Sequence, residues 1–222
     1  MNESEPQRVR DVYAMRRPGD VYDLRRADVI AARSHRERVW GRLLRQEDHD
    51  LGCVVEVGSG DGSVLRWALE VGAGSVLGTD VIIERLQHSR RLSDRIGAAA
   101  ADGQVLPVRS GAADTVITST LFSSVLADEV ARNVADEIGR VLRPGGLCLW
   151  FDFRIDNPRN DHVRPIGRRH VERLFPGWGA RLEPVVLAPP LARRLLSVPR
   201  LAAALECLPM LRTHLAGCLI RP

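Results

Sequence analysis

The sequence predicts an α/β fold, a three-layer αβα sandwich with a mostly parallel sheet and an N-terminal helical cap. Three observations predict it. Short, apolar, β-branched runs alternate along the chain with stretches whose apolar residues recur at helical spacing. A glycine-rich turn at residues 58–62 joins the first of these strands to the helix that follows. Polar groups close four predicted strands, and a parallel order brings them to one sheet edge: Glu56, Asp80, Asp102 and Ser119.

The composition is that of an ordinary globular chain. Its 222 residues allow one domain with a substantial core, and 45% of them are hydrophobic and 27% charged. No apolar run is long enough to span a bilayer, and residues 1–10 are polar, so we expect no membrane association, no secretory signal and a cytoplasmic location. The four cysteines form no C-x-x-C pair and are expected to be reduced and structural.

The charge gives little support for a nucleic-acid partner. The formal net charge is +4, and all 32 basic residues are arginines, which is typical of GC-rich coding and suggests a bacterial source. The arginines are spread along the chain instead of forming one basic block.

The segment ahead of the first strand predicts one long helix over residues 27–46, with arginines covering its polar face. Tyr13 and Tyr22 lie in or before this segment, where they either reach a ligand or anchor the segment by packing. The apolar stripe of the helix consists of Val29, Ile30, Val39, Leu43 and Leu44.

The glycine-rich turn has the character of a ligand cradle. Gly58 and Gly60 can adopt positive φ and carry no Cβ, so a ligand can lie against the backbone. The spacing differs from the dinucleotide fingerprint G-x-G-x-x-G, and Asp61 places an acid where a pyrophosphate would sit. A cofactor that carries an amino acid fits this loop better, although a generic tight turn is the simpler alternative.

Two further acids occupy suggestive positions. Asp80 follows the second strand, about twenty residues past the glycine turn, where a βαβ unit places an acid on a ribose diol. A helix N-cap is the alternative for Asp80. Asp102 precedes Gly103 and can either accept a hydrogen bond from an exocyclic amine or form an Asx turn.

Four segments together resemble the class I S-adenosylmethionine-dependent methyltransferases of small molecules. Residues 56–62 resemble the family's motif I, and residues 102–107 resemble its GDAxxLPF segment. Residues 114–119 correspond to its FDLVVS strand, and residues 141–146 read VLRPGG, a turn that is among the family's more specific features. The resemblance covers roughly residues 50–222.

The resemblance implies S-adenosylmethionine as cofactor and a seven-stranded sheet whose last strand is antiparallel. It also implies that residues 1–48 form a cap over the cofactor and residues 49–222 the methyltransferase domain, with Asp102 meeting the adenine amino group. The cofactor-binding residues it indicates are Glu56, Gly58, Ser59, Gly60, Asp80, Val81, Asp102, Gly103, Gln104 and Ser119.

The acceptor is predicted from the polar stretch after the fifth strand, residues 152–164. Its hydrogen-bonding side chains suit a hydroxylated metabolite such as a sugar or glycoside, whereas a flat apolar acceptor would need more than 5% aromatic residues. A hydroxyl acceptor benefits from a general base, for which His162 and Asp152 are candidates. The acidic residues of this stretch match no metal-site spacing, so no metal is predicted. The candidate acceptor contacts are Tyr22, Phe122, Arg154 and Asn157.

The sequence favours O-methylation of a small polar molecule, with a homodimer possible, over three other functions. One is N- or C-methylation on the same fold, although Thr118–Leu121 lacks the N/D-P-P-Y/F motif of amide N-methyltransferases. Another is RNA methylation, which would require clustered stacking aromatics. The third is a non-catalytic binding protein that keeps the cofactor fold.

Overall fold

A computed structural model of the chain describes residues 4–15, 26–156, 160–188, 191, 204–205 and 207–222. Helices and strands alternate through most of this length, as the hydrophobic patterns predict. The elements are α1 (Glu5–Ala14), α2 (Ala27–Gln46), β1 (Cys53–Val57), α3 (Ser63–Glu70), β2 (Ser75–Asp80), α4 (Ile83–Leu92), β3 (Ile96–Ala100), β4 (Ala113–Ser119), α5 (Asp128–Val141), β5 (Leu142–Phe153), α6 (Arg168–Leu174), β6 (Gly179–Leu187) and β7 (Arg212–Ile220).

The seven strands form one sheet in the order β3-β2-β1-β4-β5-β7-β6. β1 pairs in parallel with β2 and β4, and the outer pairs β2–β3 and β4–β5 are also parallel. β7 lies antiparallel between β5 and β6. The predicted α/β sandwich with an antiparallel last strand is therefore confirmed. The strand order reverses between β1 and β4, which is where such sheets bind ligands.

Each face of the sheet has its own hydrophobic core. On one face α5 and α6 cover the strands, and Val134, Ile138 and Val141 of α5 are buried at helical spacing. On the other face α2 and α3 pack over residues such as Val54 and Leu149. Burial on both faces explains why the strands read as continuous apolar runs and not as alternating ones.

Helix α2 belongs both to the core and to the cap. Val39, Trp40 and Leu43 in its C-terminal half are buried against the sheet, and Trp40 Nε1 donates a hydrogen bond to the Trp150 carbonyl at 3.1 Å. Its N-terminal half extends over the carboxyl edge of the sheet. No helix in the ranges given above is long and apolar enough to cross a membrane.

Helix α1 lies on the surface, and none of its residues is buried. Polar contacts hold it in place. The Leu126 amide donates to Glu5 Oε1 at 2.7 Å, and the Arg8 guanidinium donates to the Ser124 carbonyl. These contacts fix α1 to the loop that follows β4, beside the carboxyl edge of the sheet.

Candidate functional site

A cavity of about 300 Å³ opens at the carboxyl ends of β1, β2 and β4 and continues beneath α2 to β5, β7 and β6. Glu56, Asp80 and Ser119, each at or next to a strand end, all line it. The prediction that polar groups from separate strands meet at one edge is therefore confirmed for these three residues.

The glycine turn forms one wall of the cavity with its backbone. Gly58 and Gly60 have φ values of +71° and +53°, a region that side chains other than glycine's rarely adopt. A Cβ at Gly58 would lie 2.9 Å from Leu121 Cδ1, and one at Gly60 would lie 2.4 Å from an Arg85 nitrogen. The turn is thus a cradle that any side chain would fill.

Asp80 serves as a structural clamp and also faces the cavity. Its Oδ2 accepts the Gly60 amide at 2.8 Å, and its Oδ1 accepts the Ile82 amide at 2.9 Å. The two interpretations of this residue are therefore compatible, because each carboxylate oxygen has a further lone pair for a ribose hydroxyl. Val81, the next residue, lines the cavity as predicted.

Asp102 adopts the alternative role, an Asx turn. Its Oδ1 accepts the Gln104 amide at 2.9 Å, and its Oδ2 accepts Gln104 Nε2 at 3.1 Å. The Gln104 side chain also accepts a hydrogen bond from Asn133 Nδ2. Of this segment, Ala101 and Gly103 line the cavity. The wall expected to meet an adenine ring is therefore formed at Ala101 and Gly103 rather than at the Asp102 and Gln104 side chains.

Two buried groups of opposite charge type, Glu56 and Arg36, lie near each other at the deep end of the glycine turn without forming a direct salt bridge. Glu56 is fully buried, and burial raises its pKa well above the usual value, against the opposing effect of the Arg36 charge. Arg36 is itself buried, and its Nη1 donates to Ser119 Oγ at 2.9 Å. Glu56 Oε2 and Arg36 Nε are buried, and neither has a hydrogen-bond partner among the described residues.

These unpartnered groups fit the amino-acid end of a ligand. A buried carboxylate oxygen without a donor leaves room for an ammonium group, and an incompletely bonded guanidinium can bind a carboxylate.

Sequence reasoning missed Arg36, yet a signal was present. Arg36 follows Ala32 by four positions and precedes Val39 and Trp40, so it lies on the apolar stripe of α2.

The far end of the cavity carries a strip of aromatic rings. Phe153 of β5 is paired in register with His214 of β7, and their ring centroids are 4.2 Å apart. Phe151 also stacks on His214, with the ring centroids 4.8 Å apart and 11° between the ring planes. Burial lowers the pKa of His214 to about 3, so its imidazole is neutral at physiological pH. His214 was not predicted, and nothing in its local sequence marks it.

Two predicted site residues face the opposite side of the sheet. Successive strand residues point to opposite faces, and it is Phe151 and Phe153, not Asp152, that face the cavity. Asp152 is buried, accepts the Ser123 and Phe153 amides at 3.1 and 2.8 Å, and has its pKa raised to about 6 by burial. Phe122 stacks on Trp150 at 4.9 Å in the α5-side core. Neither lines the cavity, so these two assignments are corrected.

The described residues of the polar stretch after β5, 154–156 and 160–164, also contribute little to the cavity. Arg154 Nη1 donates to the carbonyls of Pro209 and Arg212, both at 2.8 Å, and so ties β5 to the start of β7. His162 is exposed, whereas its neighbour Val163 lines the cavity. Arg154 and His162 are therefore not wall residues. The predictions for Tyr22 and Asn157 lie outside the described residues.

Tyr13 reaches the cavity from α1. The Arg85 guanidinium carbon lies 4.5 Å from the centre of its ring, a cation–π geometry. This contact joins α1 to α4 across the cofactor end of the cavity, and both residues line it. Among the described residues, no group of three or more histidines, cysteines or acids is placed to hold a metal ion.

Comparisons with known proteins agree with this geometry. Residues 54–146 match the family model described as a methyltransferase domain. No curated protein matches the chain.

Solved structures share the fold at low sequence identity. An S-adenosylmethionine-dependent methyltransferase from Mesorhizobium loti is 20% identical, with a TM-score of 0.61 over 82% of this chain and 97% of its own. Another from Aquifex aeolicus is 12% identical, with a TM-score of 0.61 over 99% and 100%. The [4+2]-cyclase SpnF is 18% identical, with a TM-score of 0.62 over 84% and 81%.

The matched segment contains the glycine turn, Asp80, Gly103 and Ser119, which together form the cofactor end of the cavity. Residues 54–146 therefore match a methyltransferase domain, and the chain shares the fold of S-adenosylmethionine-dependent methyltransferases; together these two findings indicate S-adenosylmethionine as its cofactor.

Proposed function

We propose that the protein transfers the methyl group of S-adenosylmethionine to a hydroxyl of a small metabolite, with sugars and glycosides among the candidate acceptors. One observation carries the proposal. A single cavity joins the cofactor cradle to an aromatic strip that contains a buried, neutral imidazole.

At the cofactor end, different residues would bind different parts of the ligand. Glu56 and Arg36 would hold the ammonium and carboxylate of the methionine part, Asp80 the ribose hydroxyls, and Gly103 the base. The cofactor supplies an electrophilic methyl group on a sulfonium. This assignment directs the sulfonium toward Ser119 and the residues beyond it, where the cavity turns toward β5.

The acceptor end suits a small molecule with one flat apolar face. Phe151, Phe153 and Val186 form its floor, and Thr120 and Ser124 add hydroxyl groups at its side. A planar ring or the C–H face of a sugar can lie on such rings. The cavity volume of about 300 Å³ is at the lower end for ligand pockets and has to hold the cofactor too, so the acceptor is small.

A hydroxyl acceptor is favoured over an amine by the charges of this end. The carboxylates among the described lining residues are Glu56, Asp61 and Asp80, and all three lie at the cofactor end. A cationic amine would therefore find no counter-ion beside the aromatic strip. A hydroxyl needs only a proton acceptor, and the neutral imidazole of His214 provides one.

The test is an acceptor screen with S-adenosylmethionine labelled with ¹³C in its methyl group. The panel contains phenols, monosaccharides and glycosides, each with an amino counterpart of the same ring. We expect S-adenosylhomocysteine to form with a hydroxyl compound and the label to appear at a methoxy chemical shift. Labelling at nitrogen or carbon would contradict the proposal, and cofactor binding without product on the whole panel would favour a different chemistry on this fold.

A further inference from the structure

Strand β6 is irregular where it meets the acceptor end of the cavity. Its pairing with β7 keeps one register from Val185–His214 to Leu187–Arg212, but the pair between them, Val186 opposite Thr213, is not formed. Val186 has a φ of +65°, which a β-branched side chain adopts very rarely. The residue lines the cavity, and its carbonyl accepts a hydrogen bond from Thr213 Oγ1 at 3.3 Å.

The Thr213 hydroxyl has a second contact. Its Oγ1 lies 2.9 Å from Nδ1 of His214, the next residue in the chain. A hydroxyl has one proton to donate, and a carbonyl can only accept. When the Thr213 hydroxyl donates its hydrogen bond to the Val186 carbonyl, Oγ1 is left to accept a hydrogen bond from His214 Nδ1–H. Among the described residues, none forms a hydrogen bond with Nε2, the nitrogen on the far side of the ring.

We propose that the Val186 carbonyl and the Thr213 hydroxyl hold His214 in its Nδ1–H tautomer, so that Nε2 takes the proton of the acceptor hydroxyl. His214 is then a catalytic residue, and Thr213 is a positioning residue that acts through it. The inference rests on the proposed O-methylation, in which His214 is the proton acceptor, and adds to it the means by which the accepting nitrogen is selected.

The proton and electron transfers balance. As the acceptor oxygen forms its bond to the methyl carbon, the bond from that carbon to sulfur breaks and its electron pair remains on sulfur as a thioether. The proton of the acceptor oxygen passes to Nε2, and His214 becomes an imidazolium. Burial disfavours the charged ring and makes His214 a weak base, so it takes the proton only as the new O–C bond makes the acceptor's O–H strongly acidic. It then returns the proton to water when product leaves.

Backbone strain at this position supports a functional role. Asp48, Thr120 and Val186 are the non-glycine residues with positive φ in the described part of the chain, and the last two line the cavity. Strained backbone persists where the surrounding structure enforces it, and such sites cluster at active sites. Here the residue with the left-handed backbone is the one whose carbonyl accepts the hydrogen bond from Thr213 Oγ1.

The first test reads the tautomer directly and needs no acceptor. Full-length protein labelled with ¹⁵N is examined by two-bond ¹H–¹⁵N correlation, which distinguishes a protonated ring nitrogen from one with a lone pair. The chain has six histidines, and the His214→Gln variant assigns the signal. We expect Nε2 of wild-type His214 to carry the lone pair. A protonated Nε2 would overturn the proposal.

Two substitutions at Thr213 test its positioning role. Thr213→Val keeps the shape and removes the hydroxyl, whereas Thr213→Ser keeps the hydroxyl. We expect the valine variant to lose the Nδ1–H tautomer and to lower kcat about tenfold with an unchanged KM, because the wrong tautomer presents a proton to the acceptor. The serine variant restores both readouts. An unchanged tautomer in Thr213→Val would refute the role of the hydroxyl.

The outcomes separate this inference from the proposed function. The kinetic assay uses the hydroxyl compound that gives the fastest turnover in the acceptor screen. If the label appears at nitrogen while the tautomer is as expected, the proposed O-methylation fails and His214 loses its role as base. If methoxy product forms and Thr213→Val changes the tautomer without changing kcat, O-methylation stands and the base is a group other than His214.

Discussion

The two ends of the cavity are built in different ways. The cofactor end comes from consecutive βα units and from Arg36 of α2, and it presents backbone and charged groups, with Glu56, Asp80 and Arg36 around the glycine turn. The acceptor end is assembled from α2, β5, β6 and β7, and its floor is apolar apart from one neutral imidazole. The first end offers fixed donors and acceptors that suit a charged ligand, whereas the second offers shape and a single proton acceptor. Substitutions at the two ends should therefore separate binding of the cofactor from transfer of its methyl group.

The largest effect is expected at the cofactor end, from Gly58→Val. The φ of +71° disfavours valine, and its Cβ would lie 2.9 Å from Leu121 Cδ1, so the cradle would fill or distort. We expect binding of S-adenosylhomocysteine, measured by calorimetric titration, to weaken by at least about 100-fold, or about 2.7 kcal/mol.

The matched control for this prediction is Gly111→Val. Gly111 has a similar φ of +67°, but a Cβ there meets no atom within 4 Å, so the control carries the backbone strain without the cradle. Equal loss of cofactor affinity in both variants would show that strain alone, and not the shape of the cradle, accounts for the effect.

The second prediction concerns the acceptor end. His214→Phe preserves the aromatic strip and removes the proton acceptor, so kcat should fall by about 100-fold, the usual contribution of a general base. Binding of S-adenosylhomocysteine should stay within about twofold of wild type, because the ring lies away from the cofactor end. His162→Ala, an exposed residue that does not line the cavity, serves as the control and should retain wild-type turnover.

The cofactor end was largely predictable because its chemistry is local in sequence. Residues 56–62 form the cradle with their own backbone. Asp80 is the acid that ends a short strand, and this change from apolar to acidic residues is visible in the sequence. Asp102 shows the limit of this reasoning. Its sequence position is compatible with two roles. The structure shows the turn, through the hydrogen bonds to Gln104, and shows that Asp102, unlike Asp80, does not line the cavity.

The acceptor end could not be predicted, for three physical reasons. β5 is buried on both faces, so its sequence does not say whether Asp152 or its phenylalanine neighbours face the ligand, and a shift of one residue reverses the answer. The 5% aromatic content is an average that hides the clustering of Phe151, Phe153 and Tyr13 at the cavity. His214 is brought there by an antiparallel strand more than 60 residues after β5 begins, and the φ of Val186 has no sequence signal.

A third prediction tests the burial of His214 through the pH dependence of stability. Its pKa falls from 6.5 to about 3 on folding, so the unfolded chain binds the additional proton between these values. Stability is therefore complete above pH 6.5 and is lost as the pH falls toward 3. Between about pH 7.5 and about pH 5, wild type should lose about 2 kcal/mol more free energy of unfolding than His214→Phe.

This pH difference is measured by urea denaturation of both proteins at the two pH values. Other titrating groups, such as Asp152 and Glu56, are common to both proteins and cancel in the difference. An equal pH response of the two proteins would mean that the imidazole is hydrated and that the acceptor end is wetter than its lining indicates.

The smallest effect is expected from Arg36→Met, which acts where the two ends meet. The substitution removes the cation beside Glu56 and the donor to Ser119 Oγ while keeping an apolar stem on the α2 stripe. Glu56 can respond by staying protonated, because burial already raises its pKa. This response limits the loss of fold stability, and the loss of the cofactor carboxylate's partner should weaken S-adenosylhomocysteine binding by about tenfold, or about 1.4 kcal/mol.

The comparison of ligands sharpens this last prediction. If Arg36 binds the carboxylate of the methionine part, Arg36→Met should weaken the binding of S-adenosylhomocysteine. The affinity for 5′-methylthioadenosine, which lacks that carboxylate, should stay within about twofold of wild type. Arg45→Met, an exposed position on the same helix, controls for the loss of one positive charge. An equal loss of affinity for both ligands would mean that Arg36 stabilises the cavity wall through Ser119 and Glu56. The amino-acid end of the ligand would then bind a different residue.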